Sequence, residues 1–317
     1  MRGLNRPAEP FVCLRERPAS LLDTATDPML RTLSLPALAV LIAAATPVRA
    51  EDTPSPAPSN PPAAPSVGAE TLKPGKPAVK PYLADTAVPD ALQILPPPPA
   101  HDAPLDKADR AAFNGTRALK GSARWEIAAN DVSEGATAVL DNFACVLGTR
   151  LDQTRVPAVL NLLERARLDL ARATRGPKVH YRRLRPFVGN EAPICVQRTQ
   201  ALTDSFSYPS GHATQGWAYA LILASLVPEK ATPILARGRA YGESRVVCGV
   251  HWLSDVAAGR ITGSSVLATL MGDPGFRADL EKARTELRGA LSGGGTAPDQ
   301  ATCTREAEAL REPPLEF

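Results

Sequence analysis

The sequence predicts an all-α protein built as a compact helical bundle. Two observations carry that expectation: apolar residues recur at helical spacing through most of the chain after Pro99, and no run of four or more residues alternates as a strand would. Hydrophobic residues make up 44% of the chain, enough for a buried core.

The spacing predicts helices over 106–120, 122–131 and 136–148, the third carrying Val139, Leu140, Phe143 and Leu147. Between 156 and 174, Val156, Val159, Leu160, Leu163, Ala166 and Leu170 mark one apolar face. Further helices are expected at 212–226, 231–247, 251–271 and 274–290, after which Ser292-Gly293-Gly294-Gly295 closes the ordered body. Residues 291–317 are then expected to be a flexible tail, and 92–290 the functional domain.

Ahead of that domain the chain reads as an address and a spacer. Arg31 precedes an apolar run from Leu33 to Thr46, and Val48-Arg49-Ala50 has the small residues of a signal-peptidase site. Residues 1–50 are therefore expected to be an upstream extension and signal peptide, with Met29 as the start that suits the signal. The apolar run is shorter than the ~20 residues of a membrane span, so no span is expected after cleavage. Residues 51–91, rich in Pro and Ala, are expected to form an extended tether. Losing 1–50 removes Cys13 and leaves Cys145, Cys195, Cys248 and Cys303, an even set suited to two disulfides in the periplasm or outside the cell. Three pairings are open. A net charge of +3 with no basic run excludes a nucleic-acid polymer as partner.

Three clusters carry chemistry. In the third, Ser244-Arg245 precedes His251 and Asp255. Four residues apart, His251 and Asp255 would share one helix face, where the carboxylate fixes the imidazole tautomer and leaves the other nitrogen as a nucleophile. In the second, Pro209-Ser210-Gly211-His212 reads as a turn into a helix. Ser210 and the first N–H groups, Gly211 included, would form an anion site there, with His212 placed to protonate a leaving oxygen. The first supplies cations: Lys178 and Arg185, the latter held on a loop by Pro186. Arg182, Arg183 and His180 read as solvated surface. Three cations, a helix N-terminus, two histidines and a carboxylate suit a tetrahedral dianion, with no carboxylate cluster for a divalent metal.

The pattern K-x6-RP, PSGH and SR-x5-H-x3-D resembles the signature of the type 2 phosphatidic acid phosphatase superfamily, which also includes vanadium haloperoxidases. The flanks "SYPSGHATQGWAYALILASLVPEK" and "RGRAYGESRVVCGVHWLSDVAAGRI", with "LPPPP" and "RLRPF", resemble bacterial class A non-specific acid phosphatases from about Leu92 to Leu270. The resemblance implies a helical domain of the acid phosphatase / vanadium haloperoxidase type that hydrolyses phosphomonoesters broadly at acid pH. It implies a phosphohistidine on His251 oriented by Asp255, with His212 as acid and then base. Lys178, Arg185, Ser210, Gly211 and Arg245 would hold the phosphate. No cofactor is implied, vanadate and phosphate are expected inhibitors, and a homodimer or larger assembly is possible. The rival readings are a vanadium-dependent haloperoxidase, a lipid phosphatase, and a non-catalytic phosphate-binding module. The class A flanks, the lack of membrane spans after the signal, and the intact His212, His251 and Asp255 weigh against them in turn.

Overall fold

Helix is the regular structure of every layer in the computed structural model, which describes residues 79–293 and 295–311. Its elements are α1 (Ala91–Ile94), α2 (Pro104–Thr116), α3 (Ala123–Asn130), α4 (Ala136–Asn142), α5 (Ala144–Leu147) and α6 (Pro157–Tyr181). They continue with α7 (Gln200–Asp204), α8 (Gly211–Leu226), α9 (Ala231–Val247), α10 (Leu253–Leu270), α11 (Pro274–Ser292) and α12 (Gln300–Ala309). The one β feature among the described residues is an isolated bridge between Arg150 and Thr296. The expected signal peptide and the tether as far as residue 78 lie outside the described residues.

Local chemistry sets the helix starts. Pro104, Pro157 and Pro274 open α2, α6 and α11, where a missing N–H costs nothing. Ser122, Ser210, Asp273 and Asp299 cap α3, α8, α11 and α12 by accepting from the N–H three residues on, each worth about 1 kcal/mol.

α8 is the axis of the molecule. Its buried residues run all round it, from Ala213 and Thr214 to Ile222, Leu223 and Leu226, as expected of a helix enclosed by others. α9 and α10 pack most closely against it. Glycines permit that approach: a Cβ on Gly259 would stand 2.7 Å from the Ser210 carbonyl, and one on Gly263 2.6 Å from that of Thr214. On the other side, α6 and α11 complete the main core, where Phe143, Leu162, Leu163, Tyr219, Leu223, Ile234, Phe276 and Leu287 are fully or almost fully buried.

Several elements differ from the sequence expectation. The stretch 136–148 is two helices, because the chain kinks at Phe143 before Gly148 ends it in the left-handed region. α6 runs seven residues beyond its apolar repeat, through Pro177, to Arg182 at φ 46°. Residues 79–91, expected as tether, are docked: the Tyr82 and Leu83 N–H groups donate to Asp169, and Tyr82 packs edge-on against Phe276. The expected flexible tail contains α12, tied to α5 by the Cys145–Cys303 disulfide. Glu306 of α12 also lies 3.3 Å from Arg237, which forms a buried pair with Asp131. The second disulfide joins Cys195 and Cys248. No described helix is long and apolar enough to cross a membrane.

Candidate active site

Two helix C-termini and two helix N-termini meet on one side of α8. The last turns of α6 and α9 bring Lys178 and Arg245, while the first turns of α8 and α10 bring Ser210, Gly211, His212 and Asp255. The structure gathers every residue expected at the site.

His251 is not on the helix that the spacing predicted. α10 begins at Leu253, with Trp252 as its N-cap, so His251 precedes the helix. The pairing survives by another route. Asp255, in the first turn, accepts from the Trp252 N–H at 2.9 Å, and its Oδ2 lies 3.3 Å from His251 Nδ1. The turn before it is fixed by Val250 and His251 N–H bonds to the Arg245 carbonyl, by Gly249 at φ 80°, and by the Cys195–Cys248 link. Five residues from α9 to His251 are thus held in one conformation.

The opposite face of the imidazole meets a cation. Arg185 Nη1 lies 3.0 Å from His251 Nε2 and donates to the Val250 carbonyl. A guanidinium has no acceptor, so Nε2 carries the lone pair and Nδ1 the proton. Burial first, and then Arg185, Lys178 and Arg245, hold His251 well below the ordinary imidazole range. Both effects favour the neutral ring, whose lone pair is turned toward Arg185. Asp255 is fully buried; burial raises its carboxyl, opposed by Arg183 and the Trp252 N–H.

Arg183 corrects the reading of it as solvated. It donates to Asp255 Oδ1 at 2.6 Å and Asp109 Oδ2 at 2.7 Å, and its guanidinium lies over the Trp252 ring. Asp109 accepts in turn from the Ser254 N–H and hydroxyl. His251 therefore stands at the end of a chain running through Asp255 and Arg183 to Asp109 on α2. Sequence reasoning missed both Arg183 and Asp109; the arginine lies in a basic run, and its partner is 74 residues distant. His180 is exposed as expected, and so is Arg182.

The cations are the pocket's main property. Lys178 donates to the Phe206 carbonyl, and burial beside Arg185 lowers its ammonium from 10.5 to about 7. Arg185 is held by Ser205 and Val250. Arg245 is buried, and its Nε and Nη1 have no hydrogen-bond partner among the described residues. Buried guanidinium N–H groups without acceptors are costly, and next to a helix N-terminus they are matched by an anion with several oxygens. The Ser210 hydroxyl caps α8, and the Gly211 and His212 N–H groups stand at the helix's positive end.

His212 faces the pocket from the other side. Its Nε2 is 3.0 Å from the Val132 carbonyl and its Nδ1 is 3.3 Å from Glu134. Its ring stacks over Tyr241.

Helical proteins that set three cations against a helix N-terminus handle tetrahedral anions, and two histidines on opposite sides of that anion provide for transferring it. Residues 168–277 match the model of the PAP2 superfamily. An acid phosphatase of Zymomonas mobilis subsp. mobilis is 45% identical over 225 residues, covering 69% of this chain and 83% of that protein. The non-specific acid phosphatase of Providencia stuartii is 39% identical over 208 residues, 65% of this chain and 84% of that protein. One of Salmonella typhimurium is 38% identical over 195 residues, covering 61% and 78%. The chain belongs to the PAP2 superfamily, as an enzyme of the acid phosphatase kind.

Proposed function

We propose that this enzyme hydrolyses phosphomonoesters of broad structure at acid pH, without a metal, through a phosphohistidine on His251. The observation that carries the reading is Arg245: two buried guanidinium N–H groups with no acceptor among the described residues, in the same pocket as an imidazole whose lone pair meets Arg185.

In the first step His251 Nε2 attacks phosphorus in line, the N–P bond forms, and the P–O bond to the leaving group breaks. Asp255 accepts the Nδ1–H bond and stabilises the charge that develops on the ring. His212 gives its proton to the departing alkoxide. Lys178, Arg185 and Arg245, with the Ser210 hydroxyl and the Gly211 N–H, hold the equatorial oxygens, where negative charge is spread in the transition state. In the second step His212 takes a proton from water, oxygen attacks phosphorus, and the N–P bond breaks to release phosphate. The cations do the work that a metal would otherwise perform, so chelators should leave activity intact, while phosphate and vanadate should compete with substrate. The paired cysteines and the expected signal support a periplasmic or secreted location.

Rapid quenching with a labelled phosphomonoester, followed by mass spectrometry, should place the phosphoryl group on His251. His251→Ala should lower kcat by at least about 10⁴-fold. Full activity in that variant, or label elsewhere, would overturn the assignment.

A further inference from the structure

His212 is clamped between two acceptors, both from residues outside the pocket's signature. Val132 offers its carbonyl to Nε2, and Glu134 its carboxylate to Nδ1. Both come from the segment 131–135 between α3 and α4, which is fastened at several points. Asp131 binds Arg237 and Ser244, the Ser133 carbonyl accepts from Tyr241, and the Ala136 N–H donates to Glu164. Glu134 itself is 64% exposed on its side chain, so its position owes nothing to burial. An imidazole that satisfies both acceptors must carry a proton on both nitrogens.

Three neighbours oppose that protonation: Arg245 from α9, Arg185 from the segment after α6, and His251 from the turn before α10. Tyr241 stacks on the ring. Burial, followed by Arg245, pushes His212 well below the ordinary imidazole range. A neutral imidazole is a far weaker acid toward a departing alkoxide than an imidazolium. Among the described residues, Glu134 is the carboxylate paired with the ring against those cations.

We infer that Glu134 is a positioning residue that favours the charged form of His212 and holds its Nδ1–H, and that the exposed carboxylate yields this proton to the leaving oxygen when substrate enters. The inference rests on the reading of His212 as the donor. Its dependence on leaving group separates it from a structural role, because a good leaving group departs without protonation and a poor one does not.

The test compares p-nitrophenyl phosphate with glycerol phosphate as substrates for the wild type, Glu134→Gln, Glu134→Asp and His212→Ala. Glu134→Gln is expected to lose about tenfold or more in kcat on glycerol phosphate and less than about threefold on p-nitrophenyl phosphate. The basic limb of its profile should move to lower pH, and Glu134→Asp should recover part of the loss. If His212→Ala is selective and Glu134→Gln costs both substrates equally or neither, the role given to Glu134 falls and the donor reading stands. If His212→Ala itself shows no dependence on leaving group, the donor reading falls, and this inference falls with it.

Discussion

Among single residues, Arg183 matters most without reaching the pocket. It neutralises two buried carboxylates at once, Asp255 and Asp109. Removing it would strip both carboxylates of the guanidinium that pairs with them, a change that costs about 3–5 kcal/mol for a buried pair. It would also release the carboxylate that sets the His251 tautomer. Arg183→Met should therefore lower both Tm and kcat, the latter by at least about 100-fold, with a smaller change in KM. Asp109→Asn, which keeps the hydrogen-bonding shape, should show the same pattern in milder form. Thermal melts beside steady-state kinetics would check both, and wild-type kcat in Arg183→Met would refute the relay. Nothing in the sequence marks this arginine out from Arg182 beside it. The difference lies in where the loop leaves α6: Arg182 takes the left-handed cap and stays outside, while Arg183 turns in.

Among elements, the crossing of α10 over α8 decides the geometry. The closest points are Gly259 against Ser210 and Gly263 against Thr214, in the first turns of the helix that carries His212. A valine at Gly263 would drive α10 outward, costing about 1–3 kcal/mol as overpacking does, and would carry Asp255 with it. Gly263→Val should thus lose activity out of proportion to its loss of Tm. Gly289 on α11 is the control, since a Cβ there meets nothing within 4 Å. Gly289→Ala should raise Tm by the helix propensity gained, about 1 kcal/mol, and leave kcat alone. The long helices were legible because their apolar faces repeat. α7, α12 and the last turns of α6 were not, for good reason. α7 and α12 bury no residue, and the end of α6 turns Lys178 toward an anion site and not toward the core. The Pro177 inside α6 reads as a stop, yet it falls one turn before the helix ends.

For the whole molecule, the pocket concentrates positive charge that a net charge of +3 conceals. Because Lys178 is lowered to about 7 in the folded protein from 10.5, folding opposes its protonation. The resulting penalty on stability is fully present below pH 7 and is relieved as pH rises toward 10.5. A bound dianion reverses it. Sulfate, doubly charged across the range, should bind about 30-fold more tightly at pH 5.5 than at pH 8.5 if Lys178 alone titrates. The gain in Tm on adding sulfate, which follows the logarithm of the affinity, should be larger at pH 5.5 than at pH 8.5, and Lys178→Met should flatten the difference; an unchanged gain across pH would disprove the assignment. This charge was legible in the sequence as three clusters, because each keeps its members close along the chain. Glu134 was not, since an exposed acid in a loop looks like any other, and only the fold sets it against His212. The α8–α10 contact has one more consequence, which concerns change over generations. His212, the amide end of α8 and Asp255 ride on two helices whose backbones touch, so they form a single block that small substitutions cannot retune without breaking it. Variation in what the enzyme accepts is then left to positions outside that block, Arg183, Arg185 and Glu134 excepted.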